Sequence, residues 1–201
     1  MARRAHEGLR VEPLTGNAIA EAIPALAELR IRVFAEWPYL YEGDLAYEKA
    51  YLHEFASAEN AVLVVARDGI RIVGASTASP MTAQAAEIRD PVSAAGFDPE
   101  AIFYFGESVL LPEYRGRGLG HAFFDAREAH AKACGAKMAM FAAVIRPNSH
   151  PERPTDYRPL DAFWRGRGYD KVDGLTCSIA WRDHGEDAET PKPLQFWQRE
   201  L

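Results

Sequence analysis

The spacing of apolar residues along the chain predicts an alternation of strands and helices. Continuous or alternating apolar runs, typical of buried strands, lie at 9–14, 61–66, 70–79, 101–111, 137–145 and 175–181. Apolar residues at helical spacing lie at 17–34, 45–55, 121–134 and 160–167. The strand at 101–111, the helix at 121–134 and the strand at 137–145 predict a crossover with two parallel strands.

Turn and breaker residues refine this order. The Arg67-Asp68-Gly69 turn predicts an antiparallel hairpin. Asn17 predicts a helix N-cap, and Pro24 predicts that this helix is kinked or divided into two. The polar segment 183–201 ends in an aromatic pair, and we expect a tail that packs across the domain or onto a second subunit.

Length and charge narrow the class of protein. The 201 residues predict one domain, with a core at about 9–182 and a tail at 183–201. The net charge of −6 argues against nucleic acid as a partner and is weakly consistent with a cationic substrate. No apolar run reaches the ~18 residues of a membrane span, and the first ten residues lack the apolar run of a signal peptide. We therefore expect a cytoplasmic protein without a membrane partner.

No pattern indicates a metal or a disulfide. Cys134 and Cys177 fit no metal or redox spacing, and the six histidines lack metal-ligand spacing. Both cysteines are expected to be small buried residues, and the protein is expected to use no metal.

The segment 103–120 carries the clearest chemical signal. A strand ends at Pro112, an arginine- and glycine-rich loop follows, and a helical pattern starts at about Gly118. Backbone amides at a helix N-terminus bind anionic phosphate. The loop is not a Rossmann fingerprint, because His121 replaces the third glycine, nor a P-loop, because no lysine follows the glycines. Leu110 likewise replaces the last glycine of a nucleophile elbow.

One further motif does match, R/Q-x-x-G-x-G/A, at Arg115, Gly118 and Gly120. It resembles the acyl-CoA grip of the GNAT superfamily of N-acyltransferases. The strand ending in Leu110-Leu111-Pro112 is similar to that family's V-x-P, and the segment 162–169 is an imperfect match to a later family motif. The resemblance covers about 9–181. Without this context, the arginines would indicate only a solvated basic turn.

The resemblance implies an α/β (α+β) fold: a single GNAT-like domain with a mixed central sheet of six to seven strands and helices on both faces. It implies that the parallel strands 102–111 and 137–145 splay apart to admit acetyl-CoA, the acyl donor. The implied cofactor-binding residues are Val109, Leu110, Leu111, Arg115, Gly116, Arg117, Gly118, Leu119, Gly120, His121, Asn148 and Trp164. Among these the Leu110 N–H would bind the thioester carbonyl and stabilise the oxyanion. Asn148 could equally be a turn residue.

The resemblance also implies the catalytic groups. Glu107 would be the base that removes a proton from the amine, with its pKa raised in an apolar strand. The alternative is a carboxylate paired with a structural arginine such as Arg30 or Arg32. Trp164 replaces the tyrosine that often protonates the thiolate, so Tyr157 becomes the candidate acid, with Tyr169 or water as alternatives.

The acceptor is expected at the loop 36–44. Trp37, Tyr41 and Asp44 combine aromatic faces with a carboxylate, which suits an ammonium group, although packing and turn roles are the alternative. The expected function is acetyl-CoA-dependent N-acetyl transfer to a small primary amine. The alternatives are a non-catalytic acyl-CoA-binding module, and a peptide or protein amine as acceptor. A homodimer is also expected.

Overall fold

The computed structural model describes residues 8–201. Most of the first ten residues, in which a signal-peptide pattern was sought, therefore lie outside the described range. The strands are β1 (Leu9–Leu14), β2 (Val62–Asp68), β3 (Arg71–Pro80), β4 (Ile102–Leu110), β5 (Met138–Val144), β6 (Asp170–Trp181) and β7 (Thr190–Glu200). The helices are α1 (Asn17–Phe34), α2 (Leu45–Ser57), α3 (Ala86–Ala94), α4 (Leu119–Ala133) and α5 (Asp161–Gly166). No helix among these is long and apolar enough to cross a membrane.

The strands form one mixed sheet in the order β1-β2-β3-β4-β5-β7-β6. Every neighbouring pair is antiparallel except β4 and β5, which are joined by the α4 crossover. The chain is therefore a single α/β domain with a seven-stranded sheet and flanking helices, as the sequence predicted.

The parallel pair is short. Ile102–Tyr104 pair with Met138–Met140, and beyond Tyr104 β4 has no further pairing with β5. β4 nevertheless continues to Leu110, and β5 continues to Val144 beside β7. The two strands thus diverge and leave one edge of β4 unpaired, which is the predicted splay.

A β-bulge lies where β4 leaves β5. Ser76 pairs with Ser108 and Ala78 with Phe105, so Gly106 and Glu107 together oppose Thr77. The Glu107 N–H donates to Thr77 Oγ1 at 3.1 Å. A Cβ at Gly106 would lie 2.5 Å from the same oxygen, so only glycine fits there. The bulge bends β4 and sets the direction of the Glu107 side chain.

The core covers both faces of the sheet. Five consecutive residues of β2, 62–66, are completely buried, which requires packing on both sides of that strand. α1 contacts β3 and β4, and α4 contacts β1 through β4. Phe105 of β4 points to α4, where its ring packs edge to face with Phe124. A second cluster joins α3 to the far end of the sheet through Val92, Tyr104 and Phe196.

The first helix differs from the prediction. α1 runs without division from Asn17 to Phe34 although Pro24 lies inside it, and Gly16 is its N-cap instead of Asn17. A proline removes one helical hydrogen bond. Ile19, Ile23 and Leu26 are buried on either side of Pro24, and their packing holds the helix together across that position.

The C-terminal segment corrects the predicted tail. Residues 190–200 form β7, which lies inside the sheet between β5 and β6. Phe196 and Trp197 are core residues with essentially no exposure. They therefore give no support to a subunit interface, although the homodimer itself stays a prediction.

Candidate active site

The unpaired edge of β4 presents backbone groups in a fixed pattern. The Leu111 N–H donates to Val73 O at 3.0 Å, and Val109 is paired with Ala75. Successive residues of an antiparallel strand direct their backbone groups to opposite sides. The N–H groups of Ser108 and Leu110 therefore point away from β3, into the gap between β4 and β5. Of the three residues predicted to align the thioester arm, Leu110 is the one that offers a backbone donor there.

The loop after β4 presents a row of free amides. Gly116 and Gly118 have φ values of 73° and 81°, which side chains disfavour. In α4, the N–H of Ala122 is the first that donates to a backbone oxygen, that of Gly118, at 3.2 Å. Within residues 8–201 the N–H groups of 116–121 have no acceptor, and they lie at the positive end of the 15-residue helix α4. This arrangement fits a pyrophosphate.

The two arginines of the loop already have partners. Arg115 Nη2 lies 2.8 Å from Glu36 Oε2, and its Nε donates to Leu110 O at 3.2 Å. Arg117 donates to Glu113 O at 2.8 Å. Both guanidinium groups are exposed enough to rearrange toward an anion, but the backbone amides are the groups already free.

The first turn of α4 is fixed by α5. A Cβ at Gly120 would lie 3.4 Å from the Phe163 ring, and the His121 ring packs on the same phenyl group. Arg167 pairs with Asp125 at 2.6 Å and with Glu128 at 3.1 Å. Leu119 is buried in the core. Sequence reasoning missed Arg167, because an arginine just after a short helix carries no signal for a partner on α4.

Glu107 is paired, as the alternative prediction held. Its Oε1 lies 2.5 Å from Nη1 of Arg30, off the line of a hydrogen bond. The Nε of Arg30 donates to Glu48 on α2. The premise of an unpaired carboxylate is therefore wrong. Glu48 was also missed, because its spacing on α2 matches that of any surface glutamate.

The Arg30 guanidinium is held from several sides. It stacks on Phe34 at 5.0 Å and on Tyr51 at 4.7 Å. Burial acts to lower the pKa of Arg30, but the charges of Glu107 and Glu48 outweigh it, so the pKa is raised well above its usual range. Arg30 therefore stays a cation.

The tyrosines around these charges stay neutral. Burial, then the charge of Glu107, raises the pKa of Tyr39 to about 12. The Glu107 charge, then burial, raises the pKa of Tyr51, and burial followed by the Glu48 charge raises that of Tyr41. At neutral pH these three residues offer hydroxyl groups and aromatic faces but no charge.

The loop 36–44, called the acceptor loop for its predicted role, is clamped by a buried ion pair. Arg146 binds both carboxylate oxygens of Asp183, at 2.6 and 2.9 Å. The same guanidinium donates to Pro38 O at 2.8 Å and to Tyr39 O at 2.7 Å. Trp181 Nε1 donates to Tyr39 O at 3.0 Å. The clamp could not be predicted, because Asp183 was placed in a tail.

The predicted acceptor residues separate in the structure. The Trp37 ring lies against His150 and Tyr157, with its Nε1 buried and without an acceptor in the described part of the chain. Asp44 caps α2 by accepting the Tyr47 N–H at 2.9 Å. Tyr41 makes a backbone bridge to Asp183. Asp44 thus matches its turn-residue alternative, whereas Trp37 lines a cluster with Tyr157.

The candidates on the later loop and helix have varied surroundings. Asn148 Oδ1 accepts from Arg153 at 2.7 Å. Trp164 packs between Phe141 and Trp197, each with ring centroids 5.0 Å away. Tyr169 is completely buried and donates its hydroxyl hydrogen to Glu128 at 3.0 Å. Tyr169 is therefore a core residue that cannot protonate a group in the gap, and Tyr157 and water are left as the candidate acids.

A protein-family model described as the acetyltransferase (GNAT) family matches residues 28–153. This range is well over half of the chain. The chain belongs to the GNAT acetyltransferase family. Acetyl-CoA is the acyl donor of GNAT enzymes, and the free amides of 116–121 and the open edge of β4 fit that donor.

Solved GNAT structures share the fold across nearly the full chain. A GCN5-related N-acetyltransferase from Kribbella flavida is 18% identical with a TM-score of 0.58, and the match covers 98% of this chain and 100% of the other. An acetyltransferase from Salmonella typhimurium, solved with its cofactor acetyl-CoA, is 12% identical with a TM-score of 0.57, covering 97% and 95%. A ribosomal-protein-alanine N-acetyltransferase from Brucella melitensis is 13% identical with a TM-score of 0.58, covering 96% and 99%.

At these identities the likeness concerns the GNAT fold alone. No curated protein matches the sequence. Within the described range no group of three or more His, Cys, Asp or Glu residues is placed to hold a metal ion.

Proposed function

We propose that this protein is an acetyl-CoA-dependent N-acetyltransferase that acts on a small primary amine by direct attack. The observation that carries the proposal is the presence of free backbone donors at two neighbouring places. One is the Leu110 N–H on the open edge of β4, and the other is the row of amides at 116–121.

The free backbone donors form two groups, which suit different parts of acetyl-CoA. The amides of 116–121 surround a helix N-terminus, where a pyrophosphate would be held by backbone groups with Arg115 and Arg117 beside it. The Leu110 N–H lies further into the gap, where it is placed to donate to a carbonyl oxygen. Acetyl-CoA, when bound, supplies an activated acyl group. The protein contributes alignment and a fixed hydrogen-bond donor.

Glu107 is placed to handle the acceptor's proton. An alkylamine is protonated at neutral pH and must lose a proton before it can attack. Glu107 lies three residues from Leu110 on the same strand, on the α1 side, with its carboxylate within the charge cluster that Arg30 and Glu48 complete. It would bind the ammonium group first and accept its proton afterwards, directly or through a water molecule.

Tyr157 is the group proposed to protonate the departing thiolate. Its ring lies 5.8 Å from that of Trp37, where the later loop meets the acceptor loop. Burial, foremost, raises the pKa of Tyr157, so the phenol keeps its proton at neutral pH. A thiol has an ordinary pKa near 8.5, so its thiolate can leave without being protonated at once. The acid therefore matters less than the base.

The test is the release of free thiol from acetyl-CoA across a panel of primary amines. The panel contains benzylamine, spermidine, an amino acid, an aminoglycoside and a peptide with a free N-terminus. Turnover on any small amine, with the acetyl group found on nitrogen by mass spectrometry, is the expected result. Turnover on the peptide alone would replace the small acceptor with a peptide acceptor.

The second candidate function is a non-catalytic acyl-CoA-binding module. It is favoured by Trp164, which stands where a tyrosine is expected and packs into an aromatic cluster. Tight binding of CoA without release of thiol on any amine would favour this alternative and contradict the proposed transfer.

A further inference from the structure

Three buried charges meet below the acceptor loop. Glu48 of α2 is 1% exposed, Glu107 of β4 is 9% exposed, and both carboxylates pair with the single guanidinium of Arg30. Glu48 Oε1 has no hydrogen-bond donor within the described chain, and Glu107 Oε1 has only the off-line contact with Arg30. Two buried carboxylates thus share one cation.

Among the described residues, Arg30 is the only cation that forms an ion pair with either carboxylate of this cluster. The nearest titratable groups on the acceptor face, Tyr39, Tyr41 and Tyr51 with Tyr104 on β4 itself, have raised pKa values and remain neutral. Arg127 of α4 lies under the other face of β4 and bonds the backbone oxygens of Thr77 and Glu107 at 3.4 and 3.5 Å. The formal charges of Arg30, Glu48 and Glu107 therefore sum to −1.

A site with a net negative charge favours the binding of a cation. Uncompensated charge is costly in a buried environment, so a ligand that neutralises it gains more there than in water. If Arg30 faced Glu107 alone, the pair would be neutral and would offer an ammonium group little. Glu48 changes that balance, because it occupies the Nε side of Arg30 while Glu107 meets Nη1.

We propose that Glu48 is a specificity-determining residue, which offsets the charge of Arg30 and so leaves the negative charge of Glu107 to a cationic acceptor. The inference rests on the proposed function, since the ligand is the ammonium form of its amine. Glu48 acts through Arg30 and does not itself touch the reacting nitrogen. The competing explanation is that the cluster only joins α1, α2 and β4.

Charge counting separates the two explanations. The wild-type cluster has a net charge of −1, Glu48→Gln gives 0, Arg30→Gln gives −2, and the double variant returns to −1. The probe pair is benzylammonium and benzyl alcohol, which have nearly the same shape and differ in charge. Their dissociation constants are measured by NMR titration of the protein without acetyl-CoA, and the readout is the preference for the cation.

We expect wild type to prefer benzylammonium by at least about tenfold, the scale of a partly desolvated charge contact. The preference should fall about fivefold or more in Glu48→Gln, rise in Arg30→Gln, and return toward wild type in the double variant. A purely structural role predicts that the double variant is the worst of the three. An unchanged preference in Glu48→Gln, or no preference in wild type, would overturn the proposal.

Two further comparisons protect the test. If Glu48→Gln does not fold, Arg30→Gln and the double variant still differ in the Glu48 charge alone, and the double variant must show the weaker preference. Glu42→Gln is the matched control, because Glu42 pairs with Arg182 at the exposed surface of the same loop. It removes the same charge and should leave the preference unchanged.

The binding test and the transfer assay fail separately. An intact cation preference with no turnover on any amine would contradict the proposed function alone. Turnover on an amine with a preference that ignores Glu48 would contradict this inference alone. With an active amine in hand, Glu48→Gln should raise the amine's KM while the KM for acetyl-CoA stays within about twofold.

Discussion

The two halves of the proposed site are built by different means. The donor side is one continuous segment, 107–121, and its useful groups are backbone amides. The acceptor side is assembled from α1, α2, the loop 35–44 and the β6–β7 turn, and it depends on side-chain ion pairs such as Arg30–Glu48 and Arg146–Asp183. The groups of the donor side are positioned by the local conformation of the backbone. Those of the acceptor side are positioned by contacts between residues that are distant in the sequence.

This difference explains how one fold can keep its donor and change its acceptor. Backbone amides at a helix N-terminus need only glycines and a strand–loop–helix path, so few substitutions alter them. A buried ion pair fails when either partner changes. We therefore expect the acceptor side to be the half that is more sensitive to single substitutions.

The largest effect is expected where the two halves meet. Glu107→Gln keeps the shape of the side chain but removes the proton acceptor, so kcat on an active amine should fall by about 10²–10⁴. The dissociation constant for CoA, measured by calorimetry, should stay within about threefold. Glu113→Gln, a neutralised carboxylate on the exposed loop nearby, is the control and should keep its activity. Equal losses of CoA binding and turnover in Glu107→Gln would mean that the two halves are not separable.

A change to the acceptor side alone should cost stability. Arg146→Gln breaks the buried pair with Asp183 and frees the carbonyl oxygens of Pro38 and Tyr39. Removing one partner of a buried pair costs about 3–5 kcal/mol in the free energy of unfolding. Urea denaturation measures this loss. Arg182→Gln breaks only an exposed pair on the same loop and should cost under about 1 kcal/mol.

A change to the donor side should act through the backbone. Gly118→Ala puts a side chain at a φ of 81°, which costs about 1–2 kcal/mol of stability, and it disturbs the amides beside it. We expect CoA binding to weaken by about tenfold in calorimetry. Gly96→Ala imposes the same strain at a φ of 87° far from the loop. If both variants weaken CoA binding equally, the loop has no special part in it.

The smallest effect concerns the turn that supports the clamp. The hydrogen bond from Lys192, then that from the Asp183 N–H, lowers the pKa of Glu186 from 4.5 to about 2. Because the folded-state pKa is the lower one, the stability that Glu186 contributes is complete above pH 4.5 and is lost as pH falls toward 2. In acid denaturation, Glu186→Gln should therefore lose less stability than wild type across this window. An unchanged acid profile would contradict the assignment.

The sequence predicted the strand, loop and helix of the donor side well because their signals are local. The apolar run of β4, Pro112 and the glycines of the loop are neighbours in the chain, and each directs the backbone directly. The distant contacts of the donor side needed correction, since Arg115 pairs with Glu36 across 79 residues and Glu107 pairs with Arg30. The acceptor side had no such signal, since the roles of Glu48 and Asp183 depend on ion pairs with arginines that are distant in the sequence.

β7 was missed for a different physical reason. Pro191 and Pro193 argue against a central strand, because proline lacks the N–H that a sheet requires. In the fold, Pro193 O accepts from the Ile145 N–H, so the backbone of Pro193 faces the side on which β5 has just ended. The N–H that Pro193 lacks would face the carbonyl of Ile145, which lies just past the end of β5, so no bond within the β5–β7 pairing is lost.

The most direct test of the account is a titration of the ¹⁵N-labelled protein with acetyl-CoA, followed through its backbone amide resonances. The account predicts large shifts for the amides of 116–121 and for Leu110, and small shifts for Val109 and Leu111, whose N–H groups are directed to β3. Shifts that spare 116–121, or that affect Val109 and Leu111 as strongly as Leu110, would contradict a donor site built from the free edge of β4 and the N-terminus of α4.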